Sequence, residues 1–262
     1  MDGRSTIDWA ARTRRFTGWF TAATSSLRIS SAKKPSSRSS ASSGVSWNGR
    51  HAWKRSAEGK PMRTMTVGLI ADTHVPQRLE RLPPQVAEVF RGVSLILHAG
   101  DLNRWPVLDE LARLAPVVAV KGNADLGLRL PWREIVEING VRIGLVHGHG
   151  GWPVYLRNKI REALISFEPL RYLRYARFAF SDPVHVIVSG HTHRPHLVCV
   201  NGIWLVNPGP VAPDYYIQRG PAVGLLHVRP GDLRYEWIDL STGRVRDWTL
   251  PMDSAFRFLE GG

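Results

Sequence analysis

The sequence predicts an α/β fold in which two β-sheets lie between outer helices, and three observations support this. Strand and helix patterns alternate in the first part of the globular region, which is typical of parallel strands joined by helical crossovers. Further along, apolar runs are paired around Asn-Gly, the strongest short signal for a hairpin. Polar and charged residues collect where the apolar runs end, and in α/β sheets this edge binds ligands.

The alternating part begins near Thr64 and contains three predicted strands. Each is a short apolar run of the kind found in strands that are buried on both faces. The strands are Thr66–Ala71, Ser94–His98 and Val117–Lys121. Two helices are predicted between them. Pro83 and Pro84 suit the first turn of one helix, and residues 106–114 carry apolar side chains at helical spacing.

The second part is predicted to consist mainly of hairpins. Asn139-Gly140 and Asn201-Gly202 each separate two apolar runs, so each pair is expected to fold as an antiparallel hairpin. The predicted strands are Ile135–Ile138, Val141–Val146, Val184–Ser189, Leu197–Val200, Ile203–Val206, Ala222–Val228 and Leu233–Asp239.

Residues 1–61 are predicted to be separate from a globular domain at 62–262. The stretch 25–46 is rich in Ser, Lys and Arg, and it lacks a period that could bury one face of a helix or strand. Three interpretations stay open: a disordered basic tail, a transit-type segment, or upstream sequence translated from a start codon set too early. Met62 and Met65 slightly favour the last. We expect folding and activity to survive removal of this segment.

Charge and composition restrict the class of partner. The chain has a net charge of +13, but residues 1–60 contribute +9 of it, with twelve basic and three acidic side chains. The globular part is only mildly basic, so a nucleic-acid partner is not expected. No apolar run approaches the roughly 20 residues needed to cross a bilayer, and we expect no membrane partner. The single Cys199 excludes an internal disulfide and is consistent with a cytoplasmic protein.

Residue types that bind metals follow five of the predicted strands. Imidazole nitrogen and carboxylate or amide oxygen suit Mn, Fe, Zn, Co or Ni. In Asp-x-His and His-x-His, alternate side chains lie on one side of an extended segment, so each pair can chelate from one direction. A single Gly-Asp or strand-end His is usually a turn or structural residue, but turn chemistry does not explain ligands at five strand ends. The candidate ligands are Asp72, His74, Asp101, Asn123, His147, His191 and His193.

The order of these motifs resembles the calcineurin-like metallophosphoesterase superfamily over about residues 65–230. The segments at 72–76 (DTHVP), 122–125 (GNAD) and 207–209 (NPG) are similar to its YfcE-type phosphodiesterase branch. The resemblance implies a four-layer α/β/β/α sandwich and a metal-dependent phosphodiesterase that uses a metal-bridging hydroxide. The alternative is a non-catalytic interaction scaffold with the same fold, like a retromer subunit that has lost key histidines. The intact His147, His191 and His193 favour the enzyme.

The resemblance also implies two divalent metal ions, with Mn preferred and Fe, Zn, Ni or Co as alternatives. One ion would be bound by Asp72, His74, Asp101 and His193, and the other by Asp101, Asn123, His147 and His191. Asp101 would bridge them, because a shared carboxylate offsets the repulsion of two ions about 4 Å apart. The implied substrate is a small-molecule phosphoester. A homo-oligomer is left open.

One position departs from the family pattern. Many relatives carry His directly after the motif Asn, where it stabilises the transition state or protonates the leaving group, whereas this chain has Ala124. Asp125 remains but has no imidazole to orient. His149 is the nearest alternative proton donor, with an equally good interpretation as a residue that orients a ligand. The candidate catalytic residues are therefore His149 and Asp125.

The segment 152–182 is longer than a simple crossover needs. Leu156, Ile160, Leu164, Leu170 and Leu173 have helical spacing and are expected to form a buried stripe. Two amphipathic helices with a solvated basic face are one interpretation. A cap over the site that attracts phosphodiesters or mediates dimerisation is the other.

Overall fold

The computed structural model describes residues 27–30, 63–165, 168–214 and 220–252, and its strands form two six-stranded sheets. In spatial order, sheet A contains β1 (Leu27–Ser30), β5 (Arg133–Ile138), β6 (Val141–Val146), β7 (Val186–Val188), β9 (Ile203–Asn207) and β8 (His196–Val200). Sheet B contains β12 (Val245–Thr249), β11 (Asp232–Asp239), β10 (Ala222–Arg229), β2 (Met65–Ile70), β3 (Leu95–His98) and β4 (Val117–Ala119). The central strands β3 and β7 are buried along their whole length, as their unbroken apolar sequences predict.

Four described helices lie outside the sheets: α1 (Pro84–Val89), α2 (Pro106–Leu111), α3 (Trp152–Leu164) and α4 (Pro169–Arg177). Each has a proline in its first turn, where the missing N–H has no intrahelical acceptor to lose. None of the described helices is long and apolar enough to cross a membrane.

Three apolar clusters hold the layers together. Side chains of both sheets, such as Val67 and Val186, form the central cluster. A second cluster packs α1 and α2 on sheet B through Val86 and Leu108. In the third, Ala176 of α4 packs on sheet A. The order is therefore helices, sheet, sheet, helices, and the predicted four-layer α/β/β/α sandwich is confirmed.

Two strands were not expected. β12 has alternating exposed and half-buried residues and no apolar run, so its sequence lacks a strand signal. β1 lies within the segment predicted to be a tail, and it pairs antiparallel with β5 from Leu27 opposite Ile138 to Ser30 opposite Ile135. The remainder of residues 1–62 lies outside the described residues, and the domain boundary near residue 61 stays a prediction.

The expected buried stripe on the helical insertion is wrong for most of its members. Leu156 and Ile160 are 60% and 56% exposed, and Leu164 and Leu170 are 79% and 57% exposed. Only Leu173 packs partly against the third cluster. Helical spacing predicts which side chains share a face, but it does not decide which face the protein covers.

Candidate metal centre

The ends of parallel strands from both sheets meet at one place. β2, β3 and β4 run parallel in sheet B, and β6 and β7 run parallel in sheet A. The candidate ligands follow these strands: Asp72 and His74 after β2, Asp101 after β3, Asn123 after β4, His147 after β6, and His191 and His193 after β7. Two hydrogen bonds join the sheets here, since the His191 N–H donates to the Asp72 carboxylate at 3.1 Å and His147 Nδ1 donates to the Ala99 carbonyl at 2.7 Å.

Glycines at the strand ends permit the close approach of the two sheets. A Cβ at Gly122 would lie 2.0 Å from Asp101 Oδ1, and a Cβ at Gly190 would lie 2.9 Å from Asp72 Oδ2. Any larger residue at Gly122 would collide with the carboxylate that joins the two halves of the site.

The backbone of the centre is held in an uncommon conformation. Six residues have φ between 47° and 73°, in the left-handed region: Asp72, His74, Asp101, Asn103, His191 and His193. For residues other than Gly this costs roughly 1–3 kcal/mol each and persists only where the surroundings impose it. The loops impose it on one another, because the Asp72 N–H donates to the Gly100 carbonyl and the His74 N–H to the Asp101 carbonyl, both at 3.0 Å.

Three histidines present the same ring nitrogen to the centre. His147 Nδ1 contacts the Ala99 carbonyl at 2.7 Å, His74 Nδ1 contacts Asn103 Oδ1 at 3.3 Å, and His193 Nδ1 contacts Asp214 Oδ2. These partners are acceptors and fix a proton on Nδ1, so in the neutral form of each ring Nε2 carries the lone pair. The Nε2 atoms of His74 and His193 face each other at 3.3 Å. Two lone pairs at this distance repel unless a cation lies between them, so this donor arrangement fits a metal ion.

The Asp101 carboxylate lies between two of these histidines. Its Oδ2 atom is 3.4 Å from His147 Nε2 and 3.7 Å from His74 Nε2. Burial opposes ionisation of Asp101, but His147 and His74 hold its pKa well below the ordinary value, so it is a carboxylate at neutral pH. Burial likewise opposes the charged form of His147, yet Asp101 and Asp72 raise its pKa to about 9.

The candidate ligands form two groups that differ in how closely their ligand atoms approach one another. Asp72, His74 and His193 offer ligand atoms within 4.8 Å of one another, and so do Asp72, Asp101 and His147. Asn123 reaches the second group, with Oδ1 3.1 Å from His147 Nε2. The His191 ring centroid lies 5.1 Å from that of His147, beside these groups. The structure thus gathers all seven predicted ligands in one region, and their assignment to two ions stays a prediction.

Asp125 has a structural position that differs from the predicted catalytic one. Its side chain is fully buried and accepts backbone N–H groups from Asp101 at 2.9 Å, Asn103 at 2.7 Å and Gly122 at 2.7 Å. Both carboxylate oxygens accept these bonds, so Asp125 ties together the loops after β3 and β4. It orients the ligand loops, with no need for a His at position 124. Its catalytic role stays a prediction.

His98 and Asn207 brace the loops from behind. The Gly100 N–H donates to His98 Nδ1 at 3.1 Å, which leaves His98 Nε2 as a donor to the Thr73 hydroxyl at 3.2 Å. Burial lowers the pKa of His98 to about 3, so it is neutral. Asn207 donates to the Gly190 carbonyl at 2.8 Å, and its Oδ1 accepts the Gly209 N–H at 2.8 Å. Through these contacts Asn207 shapes the loop behind the centre.

An aromatic wall covers the side of the centre next to the helical insertion. The His191 ring centroid lies 4.7 Å from that of Tyr172 on α4 and 5.8 Å from that of Tyr155 on α3. His149 lies in the same wall, 5.5 Å from Trp132, and neither of its ring nitrogens has a hydrogen-bond partner among the described residues. Burial, with the nearby positive His147, lowers the pKa of His149 to about 4. At neutral pH it is therefore uncharged, and its role as a proton donor stays a prediction.

Sequence reasoning missed two residues that orient ligands. Asp214 accepts from His193 Nδ1 and lies 3.6 Å from Arg78 Nη1. Asn103 orients His74 and is itself held by Asp125. Asn103 is two residues beyond Asp101, a spacing that could have drawn attention, whereas nothing in the sequence around Asp214 indicates its contact.

A two-sheet α/β/β/α sandwich with carboxylates and imidazoles gathered at its strand ends defines a class of metal-dependent proteins. The chain belongs to the calcineurin-like phosphoesterase superfamily, whose domain model matches residues 65–231. This confirms the family resemblance of the motifs.

Two archaeal relatives support the family assignment. The chain is 41% identical over 166 residues to a probable metallophosphoesterase from Methanothermobacter thermautotrophicus, which covers 63% of this chain and 86% of that protein. It is 42% identical over 146 residues to a probable metallophosphoesterase from Methanocaldococcus jannaschii, which covers 56% of this chain and 68% of that protein.

Solved structures share the fold. Vps29 from Chaetomium thermophilum superimposes with a TM-score of 0.57 at 23% identity, over 71% of this chain and 97% of that one. At this identity the likeness concerns architecture alone.

Proposed function

We propose that this chain is a dinuclear metal-dependent phosphodiesterase that hydrolyses small phosphoester substrates. The observation that carries the proposal is the position of Asp101 Oδ2, 3.4 Å from His147 Nε2 and 3.7 Å from His74 Nε2. These histidines belong to different predicted ligand sets, which supports the proposal that Asp101 bridges two ions. When bound, such ions neutralise charge on the phosphoryl oxygens and activate a water nucleophile.

The protein's own groups would prepare the centre for this reaction. The Nδ1 contacts of His74, His147 and His193 fix their rings, so that little reorganisation is needed when cations bind. The ionised Asp101 offsets the repulsion between neighbouring cations. The rings of Tyr155 and Tyr172 pack against the ring of His191 on one side of the centre and restrict its orientation. Mn is the preferred metal on this proposal, and a cytoplasmic location fits a small-molecule substrate.

Metal content tests the proposal directly. The protein should be purified without chelator, reloaded with Mn and measured by elemental analysis, with two ions expected per protomer. A content that stays near or below one after reloading would contradict the dinuclear centre. Protein that binds no metal and does not hydrolyse a bis-aryl phosphodiester would instead fit the non-catalytic scaffold.

Replacement of the bridging residue tests the catalytic role. Asp101→Asn should remove several kcal/mol of charge stabilisation, and turnover of a bis-aryl phosphodiester should fall by roughly 10³-fold or more. Asp109→Asn, in the exposed part of α2, is the matched control and should leave turnover unchanged. Circular dichroism should show that both variants fold. Turnover of Asp101→Asn within a few-fold of wild type would defeat the assignment.

A further inference from the structure

A cleft lined by four arginines lies between α3 and α4. Its volume is about 420 Å³, and its lining residues are Arg157, Asn158, Arg161, Arg171, Arg174 and Tyr175. Asn158 and Tyr175 hydrogen-bond to each other at the cleft and leave the guanidinium groups as its charged lining. None of the six lining residues belongs to the metal centre.

The charge of the cleft is largely uncompensated. Arg171 Nη2 pairs with Glu168 at 2.7 Å, but its Nη1 atom is buried and has no hydrogen-bond partner among the described residues. Within the described part of the chain, Arg157, Arg161 and Arg174 form no ion pair with a carboxylate. Several guanidinium groups around one cleft are suited to bidentate contacts with a phosphate group.

The surface beside the cleft is apolar. Trp152, Leu156, Ile160 and Leu164 recur every four residues along α3, so they lie on one face. Seven of the ten large apolar side chains exposed in the described residues lie between residues 152 and 178: Trp152, Leu156, Ile160, Leu164, Ile165, Leu170 and Phe178. A concentration of this kind marks a surface that is covered in use.

We infer that the outer face of the α3–α4 hairpin binds the surface of an anionic phospholipid bilayer. The lipid phosphate enters the arginine cleft, and the apolar row inserts beside it among the acyl chains. This pairing of basic residues with Trp, Leu and Phe is that of helices that lie in the plane of a membrane interface. The inference revises the expectation of no membrane partner, which considered only spanning segments.

The positive charge of this face favours an anionic bilayer as its partner over a second copy of the chain. Residues 152–178 hold six basic and two acidic side chains, a net charge of +4, so two such faces would repel each other. The basic segment at 1–60 has the same sign and would also be repelled. A lipid surface supplies both the phosphate and the apolar phase that this face requires.

Vesicle co-sedimentation with the full-length, metal-loaded protein tests the inference. The protein should bind vesicles of phosphatidylcholine mixed with phosphatidylglycerol, and it should not bind phosphatidylcholine alone. Arg157→Gln/Arg174→Gln should weaken binding by about fivefold per arginine, roughly 25-fold for the pair. The matched control is Arg91→Gln/Arg113→Gln, which removes the same charge from exposed positions near α1 and α2 and should bind like wild type.

Variants of the apolar row distinguish binding of a lipid surface from binding of soluble phosphate. Leu156→Asn/Ile160→Asn should abolish vesicle binding, while isothermal titration of this variant with inorganic phosphate should match wild type. Turnover of a bis-aryl phosphodiester should be unchanged in all these variants, which shows that they fold. Equal vesicle binding by the cleft and control pairs would overturn the inference. So would absence of vesicle binding, whether or not the cleft binds inorganic phosphate or an acidic protein.

Discussion

At the scale of single residues, hydrogen bonds of Ala124 itself and of the following residue fix the backbone at position 124. The Ala124 N–H donates to Asp101 Oδ1 at 2.7 Å, and the next residue, Asp125, is anchored by three backbone N–H groups. A side chain at 124 therefore projects from a rigid backbone next to the bridging carboxylate. We therefore expect that a His introduced at this position would be held next to the metal centre without a rearrangement of the loop.

Ala124→His should narrow the preference for good leaving groups. Wild type lacks an imidazole here, and His149 is neutral at pH 7, so aryl esters should be cleaved far faster than matched alkyl esters. A general acid can contribute about 10²-fold or more, and this gain should appear for the alkyl esters. The ratio of kcat/KM for the two classes, at fixed metal, is the quantity to compare.

His149→Gln tests whether His149 protonates the leaving group in the wild-type protein. It should leave the aryl-to-alkyl ratio unchanged if His149 only packs in the aromatic wall. A selective fall in the alkyl rate would identify His149 as the acid after all. A wild-type enzyme indifferent to the leaving group would show that our account of protonation is wrong.

Asp214→Asn should weaken metal binding without removing a ligand. Asp214 accepts the Nδ1 proton of His193, and loss of such a partner typically lowers metal affinity by about 10–100-fold. Titration with Mn of the variant and of the exposed control Asp247→Asn would measure the effect. Equal affinity in both would mean that His193 is oriented without Asp214.

At the scale of elements, the loops after the strands carry the function, while the strand at the outer edge of sheet A is remote from it. Among the described strands, β1 pairs only with β5, whereas the sheet A ligands follow β6 and β7. The hairpin of α3 and α4, in contrast to β1, lies next to the metal centre. Tyr155 and Tyr172 contact the centre from one side, and the arginine cleft lies between the two helices.

Removal of residues 1–61 should leave the yield of folded protein and the turnover unchanged. The truncation deletes β1 and turns β5 into an edge strand, but it removes no described contact of the metal centre. Thermal unfolding and kcat/KM of full-length and truncated protein are the measurements. If the truncated chain aggregates, β1 is needed to cover the exposed edge of β5.

The sequence predicted the functional residues best where they directly follow a recognisable strand. A ligand that comes just after an apolar strand, such as Asp72 or Asp101, is located by the strand that precedes it. Asp214 lies 21 residues beyond His193, so their contact depends on tertiary structure that no local pattern contains. The exposed face of α3 was missed for a related reason, because a stripe such as Leu156 and Ile160 looks the same whether the core or a partner covers it.

At the scale of the whole molecule, several buried or half-buried histidines make the free energy of unfolding depend on pH in the acid range. Burial lowers the pKa of His98 to about 3 and those of His149 and His196 to about 4, below the unfolded value near 6.5. Between pH 6 and 4 the unfolded chain therefore binds more protons than the folded protein, and stability falls as pH falls. The raised pKa of His147 adds little in this window, since His147 is protonated in both states below 6.5.

Each of these histidines should steepen the fall in the free energy of unfolding of the metal-free protein by up to about 1.4 kcal/mol per pH unit in this range. Urea titrations from pH 7 to pH 4 would measure the slope. His196→Gln should make the slope shallower by up to that amount, because it removes one of the groups that take up a proton on unfolding. An unchanged slope in that variant would mean that His196 does not contribute to the acid dependence.

Six residues of the metal centre have left-handed backbone conformations, and this affects which substitutions are expected at these positions during evolution. Eight described residues other than Gly have positive φ, and two of them, Asn139 and Asn201, lie in Asn-Gly hairpin turns where this conformation is least costly. The other six are the Asp, His and Asn residues of the centre, where folding alone would favour glycine. In lineages freed from the need for chemistry, these positions should be among the first to change. A descendant that keeps the sandwich but acquires glycine there would be recognisable as a former enzyme.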